Sequence, residues 1–202
     1  AACASATRGI VGGGYASAEN PSGEGNKTDV IQYITIASAG NATDFGNLVQ
    51  KRDDLAAFSS TTRGIFSGGG FEGYRNEIDF ITIASTGNAS DFGDLTVGRN
   101  DLSGCASPTR GLSFGGYLSS GSSDVIDYIT IASAGNATDF GNLIDSNFRQ
   151  ASACSSHTRG VNCGGSLPTA LGSATDVIQY VTIASTGNAS DFGDLSTTRE
   201  QG

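Results

Sequence analysis

Side chains of the types that carry out catalysis are few in this chain of 202 residues. His157 is the only histidine, and its neighbour Ser156 makes a Ser-His pair the one nucleophilic arrangement that the sequence offers. Two related segments carry Ala6 and Pro108 where His157 stands, so the position varies as a turn position does. We therefore expect His157 to be a solvated turn residue, and we assign no catalytic residue to the chain.

Two patterns that suggest metal or phosphate chemistry have a simpler explanation. Asp44-Phe45-Gly46 is similar to the metal-binding triplet of protein kinases, but the triplet occurs four times and no other kinase element accompanies it. The glycine clusters are not followed by Lys-Ser/Thr, which a phosphate-binding loop requires. We expect each triplet to be a turn that enters a strand, with neither a metal nor a cofactor.

The residues just before each triplet leave two structural readings open. Residues 41–44 and their copies bring amide, hydroxyl and carboxylate oxygens close together, and such oxygens suit calcium. Asn and Asp side chains also bond to neighbouring backbone amides in turns, which is the reading we favour. The same positions are N-glycosylation sequons in a host that glycosylates, namely Asn41, Asn88, Asn136 and Asn188, with a further sequon at Asn26.

The charge and hydropathy of the chain restrict its partners. Eleven basic and 20 acidic residues give a net charge of −9, whereas nucleic-acid binding needs clustered Lys and Arg. No apolar run approaches the roughly 18 residues that a membrane-spanning helix needs. We expect no nucleic-acid partner and no membrane insertion.

An internal repeat organises the whole chain. Thr-Arg-Gly recurs at spacings of 55, 47 and 49 residues, and a glycine cluster follows each copy. A loop of variable length comes next, and then a near-constant block, ITIASAGNATDFGNL in the first copy. The repeat arginines are Arg8, Arg63, Arg110 and Arg159. The last copy ends in phase with the start of the first, as in a closed ring or in a slice of a longer array.

Each repeat is predicted to form four short strands. Residues 54–59 form the first strand of the second repeat, and residues 63–67 form the second strand, which ends at glycines that permit positive φ. In the first repeat, residues 31–38 form the third strand, rich in β-branched residues, and residues 44–48 form the fourth.

Both faces of the third strand are apolar. Val30, Ile34 and Ile36 point to one side of the strand, and Ile31 and Tyr33 point to the other. We therefore expect this strand to be covered on both faces, as it is when one sheet stacks on the next.

This pattern resembles the kelch repeat of β-propellers. In that family the second strand ends in a glycine doublet, the third strand carries an aromatic residue, and the fourth opens with Trp, followed by Leu and Arg. The third-strand aromatics here are Tyr33, Phe80, Tyr128 and Tyr180. Phenylalanine takes the place of the Trp at Phe45, Phe92, Phe140 and Phe192. The family's Arg corresponds to Arg52, Arg99 and Arg199, and the third repeat departs from the pattern.

The resemblance implies one all-β domain over residues 1–202, a four-bladed kelch-like β-propeller with four antiparallel strands per blade. The implied blades are about 1–50, 51–97, 98–145 and 146–202. The Thr-Arg-Gly and DFG blocks resemble kelch-like repeats in structural proteins of tailed phages, particularly cyanophages, more closely than they resemble the eukaryotic kelch family. That likeness implies a virion or extracellular location.

The repeat arginines allow two interpretations. They form a basic ring that binds an anion, or each one pairs with a repeat aspartate or with carbonyls at strand ends. We favour pairing, since acidic residues recur in step with the arginines.

The cysteines also allow two interpretations. Cys3, Cys105 and Cys154 lie five residues before a repeat arginine, where small apolar side chains fit an inner strand. If the turn is centred on Thr158-Arg159, Cys154 and Cys163 face each other, and a cross-strand disulfide is then possible.

The loops after the glycines differ entirely between repeats, and loops on a rigid scaffold are the usual carriers of recognition. They comprise residues 15–28, 71–76, 117–123 and 166–175. The candidate binding residues are Tyr15, Phe71, Tyr74, Arg75 and Tyr117, whose aromatic and guanidinium groups suit contacts with glycans or proteins.

Three function classes follow from these observations. The first is a non-catalytic module of a virion, structural or receptor-binding, whose partners are virion proteins or surface glycans. The second is a subunit of an extracellular fibre or surface array that assembles with copies of itself. The third, a hydrolase or lyase, lacks a convergent acid–base or metal set, and we expect no enzyme activity.

Overall fold

The computed structural model describes residues 1–15, 26–145, 149–166 and 174–199. These residues form strands, turns and connecting segments and contain no helix. Each repeat forms one four-stranded antiparallel sheet in which the order of the strands in space follows the chain. The chain is therefore all-β, as predicted.

The strand bounds are similar in the four sheets. The first sheet consists of β1 (Ala2–Ala4), β2 (Arg8–Gly12), β3 (Val30–Thr35) and β4 (Thr43–Asn47). The second consists of β5 (Ala56–Ser59), β6 (Arg63–Ser67), β7 (Glu77–Thr82) and β8 (Ser90–Asp94). The third consists of β9 (Ser103–Ala106), β10 (Arg110–Phe114), β13 (Val125–Thr130) and β14 (Thr138–Asn142). A separate hairpin of β11 (Tyr117–Leu118) and β12 (Gly121–Ser122) lies between β10 and β13 in the chain. The fourth consists of β15 (Ser152–Ser155), β16 (Arg159–Cys163), β17 (Thr175–Thr182) and β18 (Ser190–Arg199).

The predicted strands differ from the observed ones at their ends. β6 covers the predicted residues 63–67, but β5 begins later than predicted because Asp54 adopts a φ of 50°, outside the strand region. β3 ends at Thr35 because a turn begins there, in which the Ser38 N–H donates to the Thr35 carbonyl over 3.2 Å.

A serine closes the hairpin between the first two strands of every sheet. The Ser5 hydroxyl accepts hydrogen bonds from the backbone N–H of Thr7 over 3.3 Å and of Arg8 over 3.2 Å. The equivalent serines make the same pair of bonds, and they are Ser60, Ser107 and Ser156. A two-residue turn flanked by this serine and the repeat arginine therefore sets the register of all four hairpins.

This turn places the two cysteines of the fourth sheet out of register. Cys154 pairs with Val161, and Cys163 pairs with Ser152. The predicted turn centre at Thr158-Arg159 is wrong by one residue, because the serine moves the turn toward the N-terminus. Cys154 and Cys163 are free thiols, and the disulfide is not formed.

Neighbouring sheets stack face to face through three apolar clusters. We call the side of each sheet that carries Phe45 and Leu48, or their equivalents, its forward face, and the side that carries Ile34 and Ile36, or their equivalents, its rear face. Phe45 and Leu48 of the first sheet pack on Ile81 and Ile83 of the second. The second and third sheets meet through Phe92 and Leu95 against Ile129 and Ile131, and the third and fourth through Phe140 and Leu143 against Val181 and Ile183. Burial of each such side chain contributes about 1.5–3 kcal/mol.

The expectation that every sheet is covered on both faces is right for the middle two and wrong for the outer two. Ile34 and Ile36, on the rear face of the first sheet, are 47% and 53% exposed. Phe192, on the forward face of the fourth sheet, is 54% exposed. The described residues form an open stack, with no sheet behind the first and none in front of the fourth.

The glycine of each Asp-Phe-Gly triplet lies at a β-bulge, which touches the next sheet in the first three sheets. The pairing of β7 with β8 shifts register between Ile78 and Asp79, and Gly93 adopts a φ of 140°. A Cβ on Gly93 would lie 2.5 Å from the carbonyl carbon of Gly135 in the third sheet. Gly193 has a similar φ of 134°, but a Cβ there would meet nothing within 4 Å.

Replacing Gly93 by Ala should destabilise the protein more than the matched change Gly193→Ala. Both variants incur the backbone cost of positive φ, but only Gly93→Ala forces a methyl group between two sheets, which we expect to cost about 1–3 kcal/mol more. Denaturant unfolding of both variants and the parent measures this difference in the free energy of unfolding. Equal losses would show that the contact between sheets is unimportant.

Candidate functional site

The repeat arginines join adjacent sheets. The Arg8 guanidinium lies 4.5 Å from the ring centroid of Tyr33, and its Nη1 donates to the Ile83 carbonyl of the second sheet over 2.8 Å. Arg63 and Arg110 make the same two contacts with their own aromatic residue and with the sheet ahead. This is the arrangement that the strand-end carbonyl interpretation describes.

The fourth repeat arginine is the exception. Arg159 lies over the Tyr180 ring at 4.6 Å but is exposed, since no sheet lies ahead of it in the described residues.

The repeat phenylalanines are structural in the first three sheets. Phe45 meets the Tyr33 ring edge to face at 6.0 Å, and the same pair occurs in every sheet. Phe45, Phe92 and Phe140 are buried against the next sheet, whereas Phe192 keeps its aromatic partner and lacks the next sheet.

Two buried ion pairs cross between sheets. Nη1 of Arg52 lies 3.0 Å from Oδ2 of Asp79, and Nη1 of Arg99 lies 2.9 Å from Oδ2 of Asp127. Burial raises the pKa of Asp79, and it lowers the pKa of Arg99. Each carboxylate also accepts a backbone N–H from the sheet behind it, that of Val49 or Thr96.

The sequence contains a signal for these pairs that the repeat comparison missed. Asp79 follows Arg52 in the sequence of repeats, and Asp127 follows Arg99 in the same way. The third repeat departs from the arginine pattern, and the fourth repeat has Gln179 at the equivalent position. The Gln179 Oε1 accepts the Ile144 N–H over 2.9 Å, so a neutral amide replaces the carboxylate where the arginine is missing.

Asp127→Gln should destabilise the protein by about 3–5 kcal/mol, because it leaves the Arg99 cation buried without its counter-ion. The double variant Arg99→Leu/Asp127→Gln should recover most of that loss, since it removes both charges, as the fourth sheet does with Gln179. A double-mutant cycle of unfolding free energies measures the recovery. A double variant as unstable as the sum of the single variants would contradict this account.

The predicted binding residues lie at the edge of the stack where the second strands end. The rings of Tyr74 and Tyr117 lie 6.0 Å apart, and the Arg149 guanidinium lies 5.3 Å from the Tyr117 ring centroid. The Lys51 ammonium lies 4.9 Å from the Phe71 ring centroid. The structure therefore brings loops of successive repeats together at this edge, and we call these two groups of aromatic and basic side chains the loop cluster.

Two of the predicted binding residues stand outside this cluster. Arg75 forms an ion pair with Glu77 and donates to the Gln50 Oε1 over 2.7 Å, so its guanidinium joins its own loop to the segment after β4. Tyr15 is 69% exposed. Residues 16–25 and 167–173, in the first and fourth predicted loops, lie outside the described residues.

A row of acidic residues runs beside the same edge. The Asp101 N–H donates to the Asp54 carbonyl over 2.9 Å, and the Gln150 N–H donates to the Asp101 carbonyl over 2.8 Å. Burial raises the pKa of Asp54 and of Asp101, and for Asp54 the charge of Asp101 adds to the effect. Across the described ranges, no group of three or more His, Cys, Asp or Glu side chains is arranged to hold a metal ion.

The opposite edge of the stack holds an open cavity of about 530 Å³ between the four serine turns. Its lining is formed by residues 4–6, 59–61, 106–108 and 155–157, which include His157. The Ser156 hydroxyl bonds to Thr158 and to the backbone of its own turn, and both Ser156 and His157 are exposed. The cavity is thus lined mainly by small side chains, with serine hydroxyls engaged in turns.

Comparison of the chain with protein-family models and with curated protein sequences finds no match. The kelch and phage resemblance therefore stays a prediction carried by the repeat residues themselves. Within the described parts of the chain, no helix is long and apolar enough to cross a membrane.

Proposed function

We propose that this chain is a non-catalytic structural and binding module of the kelch-like propeller type, with its stacked sheets as scaffold and its loops as contact surface. The proposal rests on one observation: the recurrent and the variable residues of the repeat have different roles. Residues that recur in every copy are used in contacts between sheets, as Arg8 and Phe45 are, whereas the loops share no residue pattern.

The four stacked sheets support the propeller part of the proposal. Their first strands lie side by side in the order β1, β5, β9 and β15, as inner strands of successive blades do. In this proposal, the four described sheets are consecutive blades.

The chemistry of the loop cluster supports the kind of partner. Tyr74 and Tyr117 offer aromatic faces beside the Arg149 guanidinium, a combination that suits stacking on sugar rings or anchoring a protein surface. The proposed partners are glycans of a host surface and proteins of a virion or extracellular fibre, with a virion or extracellular location. No catalytic role or cofactor is part of the proposal.

Binding of the purified chain to a printed glycan array tests the loop surface. Tyr74→Ala/Tyr117→Ala should weaken binding by about tenfold or more, because it removes both aromatic anchors. His157→Ala, at the opposite edge of the stack, is the matched control and should bind as the parent does. Binding that is unchanged in the tyrosine double variant would remove this cluster from the account, and no binding to any glycan would remove glycans as partners.

The second candidate function, a subunit that assembles with copies of itself, is favoured by a different observation. The two uncovered sheet faces lie at opposite ends of the stack and do not involve the loops.

A further inference from the structure

We propose that copies of this chain associate head to tail, with the forward face of the fourth sheet in one copy docking on the rear face of the first sheet in the next. The interface is built from sheet faces, so it stands whether or not the loops bind a ligand.

The apolar residues on the two faces are those that meet inside the stack. The forward face of the fourth sheet presents Ile178, Phe192 and Leu195, equivalent to Ile126, Phe140 and Leu143 of the third sheet. The rear face of the first sheet presents Ile34 and Ile36, equivalent to the buried Val181 and Ile183 of the fourth.

The rear face of the first sheet also has the shape to receive a sheet. It lines an open groove of about 500 Å³, whose walls include Val11, Gln32, Ile34 and Ala42. Val11 adds a further exposed apolar side chain to this surface.

Backbone hydrogen bonds at the internal contacts show what else a docked copy must supply. At the first contact, the Gly87 N–H donates to the Phe45 carbonyl over 2.7 Å, and the Ala89 N–H donates to the Asn47 carbonyl over 2.8 Å. In return the Asn47 N–H donates to the Asn88 Oδ1 over 3.0 Å. The second and third contacts repeat all three bonds.

The two uncovered sheet faces carry the residues equivalent to both partners of these hydrogen bonds. Gly40, Asn41 and Ala42 stand in the first sheet where Gly87, Asn88 and Ala89 stand in the second. Across the docked interface, the acceptors are the carbonyls of Phe192 and Asp194 in the fourth sheet. These two residues are equivalent to Phe45 and Asn47 of the first sheet.

Two further polar groups have counterparts in the next copy, whereas Arg199, the equivalent of Arg99, would face Gln32 rather than an aspartate. Arg159 is exposed, and its equivalents donate to the carbonyls of Ile83, Ile131 and Ile183, so Arg159 is placed to donate to the Ile36 carbonyl of the next copy. Gln32 is exposed in the first sheet and is equivalent to Gln179, which accepts the Ile144 N–H. The Ser196 N–H is the corresponding donor.

These matches identify the occupant as a second copy. A partner that covers the first sheet needs a Phe-Leu forward face and carbonyls at the Phe192 and Asp194 spacing, and the fourth sheet of this chain has both. Because the two faces differ and lie at opposite ends, the contact is heterologous and builds either a closed ring of copies or an open filament.

Self-association of the parent chain and of three variants tests the proposal by sedimentation velocity and native mass spectrometry over a concentration series. The parent should form multiples of the monomer mass. Phe192→Asp and Ile34→Asp should each raise the apparent dissociation constant by about tenfold or more, because each places a carboxylate in the docked face. Ile144→Asp, a change of the same type at a similarly exposed position outside both faces, should associate as the parent does.

Mixing the two impaired variants distinguishes head-to-tail docking from every symmetric alternative. The Phe192→Asp copy keeps an intact first-sheet face, and the Ile34→Asp copy keeps an intact fourth-sheet face. The mixture should therefore form a one-to-one heterodimer that grows no further.

Gly193→Ala provides a second test, because in the monomer it costs only the backbone strain of positive φ and adds no clash. The added methyl meets nothing within 4 Å in the monomer, whereas the equivalent methyl on Gly141 would lie 2.5 Å from the Gly187 carbonyl oxygen. Gly193→Ala should therefore weaken association while the far-ultraviolet circular dichroism stays that of the parent. A parent chain that remains monomeric at every concentration, impaired variants that associate like the parent, or a mixture without heterodimer would each overturn the proposal.

Discussion

The rest of this structure depends on one contact between neighbouring sheets. A phenylalanine in the fourth strand of one sheet packs on two β-branched residues, Ile and Ile or Val and Ile, at the end of the third strand of the next. A single sheet of four short strands buries little on its own, and each of the two middle sheets acquires a core only when neighbours cover both faces. Phe45 against Ile81 and Ile83 is the first instance. The hydrogen bonds of the Gly-Asn-Ala turn then fix the distance and orientation at which the two sheets meet.

The buried ion pairs are secondary to this contact. Two of the three contacts between sheets contain an arginine and an aspartate with almost no exposure, and the third manages with Gln179 and a backbone donor. Since the desolvation of the two charges offsets much of their attraction, we expect the intact pairs to add little net stability. The glycine at the bulge allows neighbouring sheets to approach closely, because any side chain at Gly93 would hold the second and third sheets apart.

Local patterns predicted much of the fold because they depend on neighbouring residues. The β-branched third strand, the glycine-ended second strand and the repeat length led to four antiparallel sheets of four strands. The hairpin register was missed because the Ser156 hydroxyl sets the turn position, and a count of residues around Thr158-Arg159 does not reveal that bond. The partnership of Arg52 with Asp79 was missed for a related reason: Arg52 follows β4 of the first sheet, Asp79 lies in β7 of the second, and only stacking brings them together. The same is true of Asn88, whose side chain bonds to the sheet behind it rather than within its own turn.

Amide hydrogen exchange tests the central claim most directly, because one amide per sheet reports whether the sheet behind it is present. The N–H groups of Gly87, Gly135 and Gly187 donate to carbonyls of the preceding sheet, and Gly40 is their equivalent in the first sheet. In dilute, monomeric protein the account predicts slow exchange at the first three glycines and fast exchange at Gly40. Equally fast exchange at all four would contradict it, since the sheets would then not be held together by these contacts.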